Sequence, residues 1–188
     1  MASGADSELC LECGLCCNGV IFADVRLQPG DDAGRLRSLG LPAGSTQSGS
    51  RRNARNQSKK SNASLPAFQQ PCAAFDGCRC RIYADRPKYC REFECLLLKD
   101  VDAGRLETAA ARRVIRATLR RVEEVKRLLR KLGDMDETMA LSLRFRRMCQ
   151  RMASGATNAE SAELFSRLTL AVHGLNLRLS KSFYPGPS

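Results

Sequence analysis

Apolar residues in the second half of the chain recur every three or four positions, which is the spacing of one face of an α-helix. The pattern turns helical from about residue 93 onward, and 107–132 predicts one long helix, which Gly133 would end as a C-terminal cap. Two further amphipathic segments, at 136–153 and 158–181, predict a second and a third helix. These helices are expected to pack on one another and on the first part of the chain.

The first hundred residues carry much shorter patterns. Alternating apolar positions at 19–27 predict a strand, and 29–41 predicts a short helix after a turn. The segment 80–83 predicts another short strand. Asp85 is then the expected cap of a helix opened by Arg86 and Pro87.

A long polar segment separates the two regions of short patterns. Residues 44–64 contain no large apolar side chain, many Ser and Asn residues, and five basic residues without an acid. This composition predicts a disordered, solvated loop, since it offers nothing to bury. Basic residues could also contact RNA, but no aromatic side chain is present there to stack on bases.

Together these patterns predict an α+β fold that is mostly helical. We expect a small, irregular, Cys-rich metal-binding domain with short strands at 1–104, in which 44–64 is a disordered insert. A C-terminal helical hairpin or bundle is expected at 105–188.

Composition and charge bear on the cellular location of the protein. The 188 residues carry 31 Lys and Arg against 20 Asp and Glu, a formal net charge of +11. The N-terminal segment MASGADSELC lacks the basic and apolar regions of a secretory signal. No run approaches the roughly 20 apolar residues of a membrane span. The expected location is therefore cytoplasmic, without a membrane partner.

The ten cysteines are clustered rather than dispersed. Four lie within CLECGLCC at 10–17, five lie between 72 and 95, and Cys149 stands alone. Cytosolic thiols are mostly kept reduced, so clusters there bind metal more often than they form disulfide frameworks. A metal site is the favoured interpretation, and a redox-active thiol cluster without metal is the alternative.

Cysteine spacing in the first cluster suits metal binding. Cys10 and Cys13, like Cys13 and Cys16, are separated by two residues, so that a tight turn can aim both thiolates at one ion. Gly14 lies where such a turn needs an unhindered backbone. The side chains of Cys16 and Cys17 should diverge because the residues are adjacent. Cys17 therefore faces a second centre or supports the first from outside.

The spacing does not choose the metal. Zinc accepts four cysteines, and a [4Fe–4S] cluster also takes four. Arginines around the second cluster, including Arg86 and Arg91, would offset the negative charge of a thiolate centre and donate hydrogen bonds near it.

CLECGLCC, the later PC and CRIYADRPKYCREFEC together resemble the CxxCxxCC cysteine-cluster family over residues 8–100. That family is described as a zinc- or iron-chelating domain and includes YkgJ-type proteins and the flagellin lysine N-methylase group. Cys78 and Cys149 fall outside its pattern. The resemblance implies zinc or iron as the bound metal, and these ligands: Cys10, Cys13, Cys16, Cys17, Cys72, Cys80, Cys90 and Cys95.

Three functions remain open from the sequence. The first is a metal-binding module that handles metal or contacts a protein partner. The second is a modification enzyme that uses an iron–sulfur cluster, as the methylase group suggests, although no catalytic residue is identified. The third is an RNA- or ribosome-associated protein with structural zinc. The lone His173 and Cys149 are predicted to be packing or surface residues rather than ligands.

Overall fold

The computed structural model describes residues 4–44, 66–77, 79–155 and 158–184. Most of the predicted disordered insert, and Cys78, lie outside these ranges. The described residues form seven α-helices, one 3-10 turn and two short strands, which confirms the mostly helical α+β fold class. In chain order they are α1 (Gly4–Cys13), β1 (Asp24–Arg26), α2 (Ala33–Ser38), β2 (Ala67–Gln69), the 3-10 turn (Tyr83–Asp85), α3 (Lys88–Glu92), α4 (Leu96–Asp102), α5 (Thr108–Lys131), α6 (Leu141–Ser154) and α7 (Ala159–Ser182).

The two strands pair antiparallel and are only three residues long. Val25 lies opposite Phe68 in the register, and both side chains are buried. The strand predicted at 19–27 is therefore confirmed only over 24–26, near its C-terminal end. Before it, the amides of Cys17 and Asn18 donate to the Gly14 carbonyl, and the Ile21 amide donates to the Leu15 carbonyl. Residues 14–21 therefore form turns, and the strand cannot begin earlier.

The strand predicted at 80–83 is wrong. Cys80 makes one isolated antiparallel bridge with Phe75, and the chain then turns into the 3-10 segment. The amide N–H of Asp85 donates to the carbonyl of Ile82, which closes this turn. A local hydrogen bond thus replaces the ladder that the apolar pattern suggested.

The predicted cap of α3 is also wrong. The Asp85 carboxylate accepts from the Arg35 guanidinium at 2.7 Å and makes no capping bond. The amide N–H of Lys88 instead donates to the Asp31 carboxylate at 2.8 Å. Asp31 also accepts from the amide of Gln28, so one side chain connects the loop before α2 to the start of α3.

The three long helices confirm the periodicity. α5 and α7 pack along much of their length, and α6 lies against α5. α5 ends in a Schellman motif, in which the Gly133 amide donates to the Arg130 carbonyl and the Asp134 amide to the Leu129 carbonyl. Gly133 has a φ of +80°, as this motif requires. In the described part of the chain, no helix combines the length and apolar character needed to cross a bilayer.

Buried apolar residues form two separate clusters. The helical cluster joins α5, α6 and α7 to α4 and to the first Cys segment, which contributes Leu9, Leu15 and Val20. The strand cluster forms around β1, β2 and α2, and includes Val25, Leu36, Phe68 and Ile82. The helical cluster therefore extends into the first part of the chain. The division into two domains at residue 104 stays a prediction.

A buried ion pair follows the end of α5. The side chains of Arg144 and Asp134 are 1% and 2% exposed, and their Nε and Oδ1 atoms are 3.6 Å apart. Arg144 also donates to the Asp134 backbone carbonyl, and Arg147 donates to the same carboxylate at 2.7 Å. The Schellman turn places Asp134 under α6, and nothing in the apolar pattern indicated this pair.

We expect Asp134→Ala to lower the free energy of unfolding by about 3–5 kcal/mol, because it leaves the buried Arg144 charge without its carboxylate. Asp100→Ala is the control. It removes an exposed pair with Arg105, whose side chain is 61% exposed, and should change stability by about 1 kcal/mol or less. Urea unfolding followed by circular dichroism compares the two. Equal losses would show that Asp134 does not stabilise the helices through this pair.

Candidate metal centre

One cavity of about 120 Å³ lies between the two hydrophobic clusters. Its wall includes apolar side chains from both clusters, among them Leu15, Phe68 and Phe183. All eight cysteines that the family resemblance implies as ligands also line it: Cys10, Cys13, Cys16, Cys17, Cys72, Cys80, Cys90 and Cys95. Segments far apart in sequence therefore present their thiols to a common space.

α1 and the turn after it position the first three thiols. Cys10 and Cys13 lie one turn apart at the end of α1, and the Gly14 amide donates to the Cys10 carbonyl at 3.2 Å. Gly14 has a φ of +62°, so the chain reverses there and carries Cys16 back toward the helix. Cys95 comes from a different segment, immediately before α4, which packs on α1.

A second segment brings three more thiols to Cys17. The Cys72 amide N–H donates to the Cys17 carbonyl at 2.8 Å, which joins the two Cys-rich segments directly. The chain then turns, with the Phe75 amide donating to the Cys72 carbonyl, and returns Cys80 opposite Phe75. Cys90 projects from α3, which packs on β1.

Burial and mutual proximity make these thiols hard to ionise on their own. Burial raises the pKa of Cys13, Cys17 and Cys90 to about 12 in each case. Burial also raises the pKa of Cys16 well above its ordinary value, and neighbouring cysteines raise it further. A cation among the thiols would reverse this balance, because metal coordination favours the thiolate.

Arg86 is a cation that acts on two of these thiols, Cys17 and Cys90. Its Nε donates to the Tyr83 carbonyl at 3.0 Å, and its guanidinium carbon lies 3.7 Å from the centre of the Tyr83 ring. Its Nη1 donates to the Cys90 carbonyl at 3.4 Å. The Arg86 charge works against the burial that raises the pKa of Cys17 and Cys90. Arg91, the other arginine singled out in the sequence, is exposed.

Several residues near the cysteines were not anticipated. The rings of Phe22, Tyr89 and Phe93 pack together, with centroid separations of 4.8–6.2 Å, and join the β1 segment to α3. The pKa of Tyr184 is raised by burial and by nearby Cys16, which places the end of α7 beside the first Cys segment. Phe93 belongs to the family pattern in CRIYADRPKYCREFEC, whereas the only sequence signal of Phe22, Tyr89 and Tyr184 was aromatic character, which also describes ordinary core residues.

The donor set fits zinc or iron, both of which thiolates bind. As placed, no group of three or more Cys, His, Asp or Glu side chains within the described ranges is arranged to hold an ion. Coordination would therefore require rotation of Cys side chains into the cavity they line. Cys149 and His173 lie on α6 and α7 and are not part of the cavity wall.

The family comparison agrees with this geometry. A family model described as "CxxCxxCC: Putative zinc- or iron-chelating domain" matches residues 9–112, which is more than half of the chain. The chain belongs to the CxxCxxCC family. The matched range runs from the second half of α1 to the start of α5 and includes all eight cavity-lining cysteines. No curated protein and no solved structure matches the chain.

CxxCxxCC membership supports metal binding without choosing between zinc and iron. Family membership does not support an iron–sulfur cluster, a methylase-like activity or RNA association over the alternatives, and each of these remains a prediction. The family description thus supports the metal class, whereas the assignment of the eight cavity cysteines as ligands remains a prediction.

We expect Gly14→Ala to destabilise the Cys segments by about 2–4 kcal/mol, combining a left-handed backbone with overpacking. An added Cβ would lie 2.7 Å from Cζ of Phe75, in the turn between Cys72 and Cys80. Gly30→Ala is the matched control, because Gly30 has a φ of +96° but no atom within 4 Å of its Cβ position. It should lose only about 1–2 kcal/mol. Denaturant midpoints of both variants test this, and equal shifts would contradict a specific role for the Phe75 contact.

Proposed function

We propose that this protein binds zinc or iron through the cysteines of the cavity and acts as a metal-handling or interaction module. One observation carries the proposal: eight cysteines from two clusters that are far apart in the sequence, 10–17 and 72–95, line a single cavity. A cysteine need not lie near the others, as the half-buried Cys149 on α6 illustrates. Convergence of so many thiols is typical of metal centres assembled from distant segments.

The surroundings of the thiols also favour a resident cation. Four thiolates around a divalent ion carry a net charge of about −2. Arg86 is fixed beside Cys17 and Cys90 by its contacts with Tyr83 and would offset part of that charge. Arg81 acts in the same direction on Cys72. Hydrogen-bonded arginines outside the ligand shell are the kind of support that tunes such centres.

Metal should also stabilise the first part of the fold. The strand cluster is small and is closed by two three-residue strands, so apolar burial there is limited. In zinc-finger peptides a structural ion contributes on the order of 10 kcal/mol to folding. Removal of the metal by an external chelator should therefore loosen β1, β2 and α3, while the packed helices α5 and α7 retain most of their structure.

The test is metal content of anaerobically purified protein, with one variant that removes ligands from both sides of the cavity. Cys16→Ser/Cys17→Ser should release the metal whatever the number of centres, because both residues line the cavity. Cys149→Ser should keep full metal content and cost about 1–2 kcal/mol at most. Circular dichroism at the helical bands verifies that the double variant retains the long helices.

Three results would be decisive. Zinc or iron bound to the wild type and to Cys149→Ser, and lost from the double variant, supports the proposal. A folded wild type that takes up neither metal after anaerobic reconstitution contradicts it. So does a folded double variant with undiminished metal content. Colour and its loss on reduction would further indicate iron rather than colourless zinc.

A further inference from the structure

The eight cavity cysteines divide into two sets of four by their place in the fold. Cys10, Cys13 and Cys16 follow one another at the end of α1 and its turn, and Cys95 joins them through the packing of α4 on α1. Cys17 is tied by its carbonyl to Cys72, and the same turn carries Cys80. α3 supplies the last member of this second set, Cys90.

The two hydrophobic clusters divide the cysteines in the same way. Cys13 and Cys95 pack against the helical cluster. Cys72, Cys80 and Cys90 pack against the strand cluster. The cavity lies between the clusters, so its two walls carry different thiols.

Electrostatic neighbours repeat this division. The cysteines that raise the pKa of Cys13 are Cys95 and Cys10. Those that raise the pKa of Cys17 are Cys72, Cys80 and Cys90. Cys16 is influenced by the other three members of the first set and also by its chain neighbour Cys17.

From this arrangement, and resting on the proposed function, we infer that the protein holds two separate metal centres, one in each four-cysteine set. The helical-side centre would use Cys10, Cys13, Cys16 and Cys95. The strand-side centre would use Cys17, Cys72, Cys80 and Cys90.

Ligand number supports two centres over one. A tetrahedral zinc takes four thiolates, and an iron–sulfur cluster of the four-iron type also takes four. Eight thiols on one cavity are therefore twice the requirement of a single centre. Cys16 and Cys17 are adjacent in the chain, and adjacent side chains do not face the same point. Cys16 therefore belongs to the first set and Cys17 to the second.

The two centres would differ in their surroundings. Arg86 and Arg81 lie beside the strand-side set, where they oppose the rise in pKa of its thiols. The helical-side set includes Cys10, which is exposed, and has the partly buried ring of Tyr184 near Cys16. Solvent access through Cys10 should let a chelator remove the helical-side ion first.

The experiment titrates the metal-free full chain with Co²⁺ under anaerobic conditions, since thiolate-bound Co²⁺ reports its ligands by visible absorption. Wild type and the control Cys149→Ser should bind two ions per chain. Cys13→Ser/Cys95→Ser and Cys17→Ser/Cys90→Ser should each bind one, which halves the thiolate-to-cobalt absorption. Each variant removes two ligands from one set and none from the other.

A second measurement uses the unmodified protein, so it does not depend on folding of the variants. Wild type loaded with Zn²⁺ is partly stripped with a chelator, alkylated, and mapped by mass spectrometry. Among the eight cavity cysteines, those alkylated at one remaining ion per chain should be Cys10, Cys13, Cys16 and Cys95, while the strand-side four stay protected.

The outcomes separate this inference from the proposed function. No metal uptake by folded wild type would overturn both. One ion per chain in wild type, or loss of both ions from either folded double variant, would overturn the two centres and leave metal binding standing. Alkylation spread evenly over both sets at half loading would overturn the expected order of release, in which the helical-side ion leaves first.

Discussion

A backbone hydrogen bond between Cys72 and Cys17 is the constraint on which the cysteine arrangement depends. It joins two segments that are separated by more than fifty positions in the sequence. Gly19 makes the approach feasible, since a Cβ there would lie 3.2 Å from Cδ of Pro71 and 3.0 Å from Cα of Ala140. The absence of a side chain at this one position lets three parts of the backbone meet.

Backbone hydrogen bonds also fix the long helices to the Cys-rich part. The Leu141 amide donates to the Gly19 carbonyl at 2.9 Å, which sets the start of α6 against the first Cys segment. The Leu96 amide donates to the Phe183 carbonyl at 3.2 Å, which sets the end of α7 against the residue that follows Cys95. The helices therefore do more than cover the cavity. Their ends determine the positions of two of its walls.

The sequence predicted the long-period features well and the local ones poorly. α5 and α7 each have 24 residues, so their apolar faces repeat often enough for the helical period to be recognised in the sequence. The segment 80–85 is too short for periodicity to decide, and hydrogen bonds inside one turn determined its path. Asp31 could not have been recognised as the partner of Lys88, because the contact joins residues 57 positions apart.

The candidate site shows the same contrast. A resemblance identified all eight cavity-lining cysteines, because their spacing is visible along the chain. Their division between two walls was hinted at by the adjacent Cys16 and Cys17. It became visible only when the packing of α4 on α1 and of α3 on β1 was known. Spacing describes neighbours along the chain, whereas grouping around a centre is a property of the tertiary contacts.

The position of Phe183 in the cavity wall has a consequence for biosynthesis. During translation the CLECGLCC segment leaves the ribosome long before α7 has been made, because chains emerge from the N-terminus onward. Until Phe183 and Leu96 meet, the thiols of the nascent chain face the surrounding medium without one side of their enclosure. The side of the cavity that Phe183 forms is thus completed only after α7 has been synthesised.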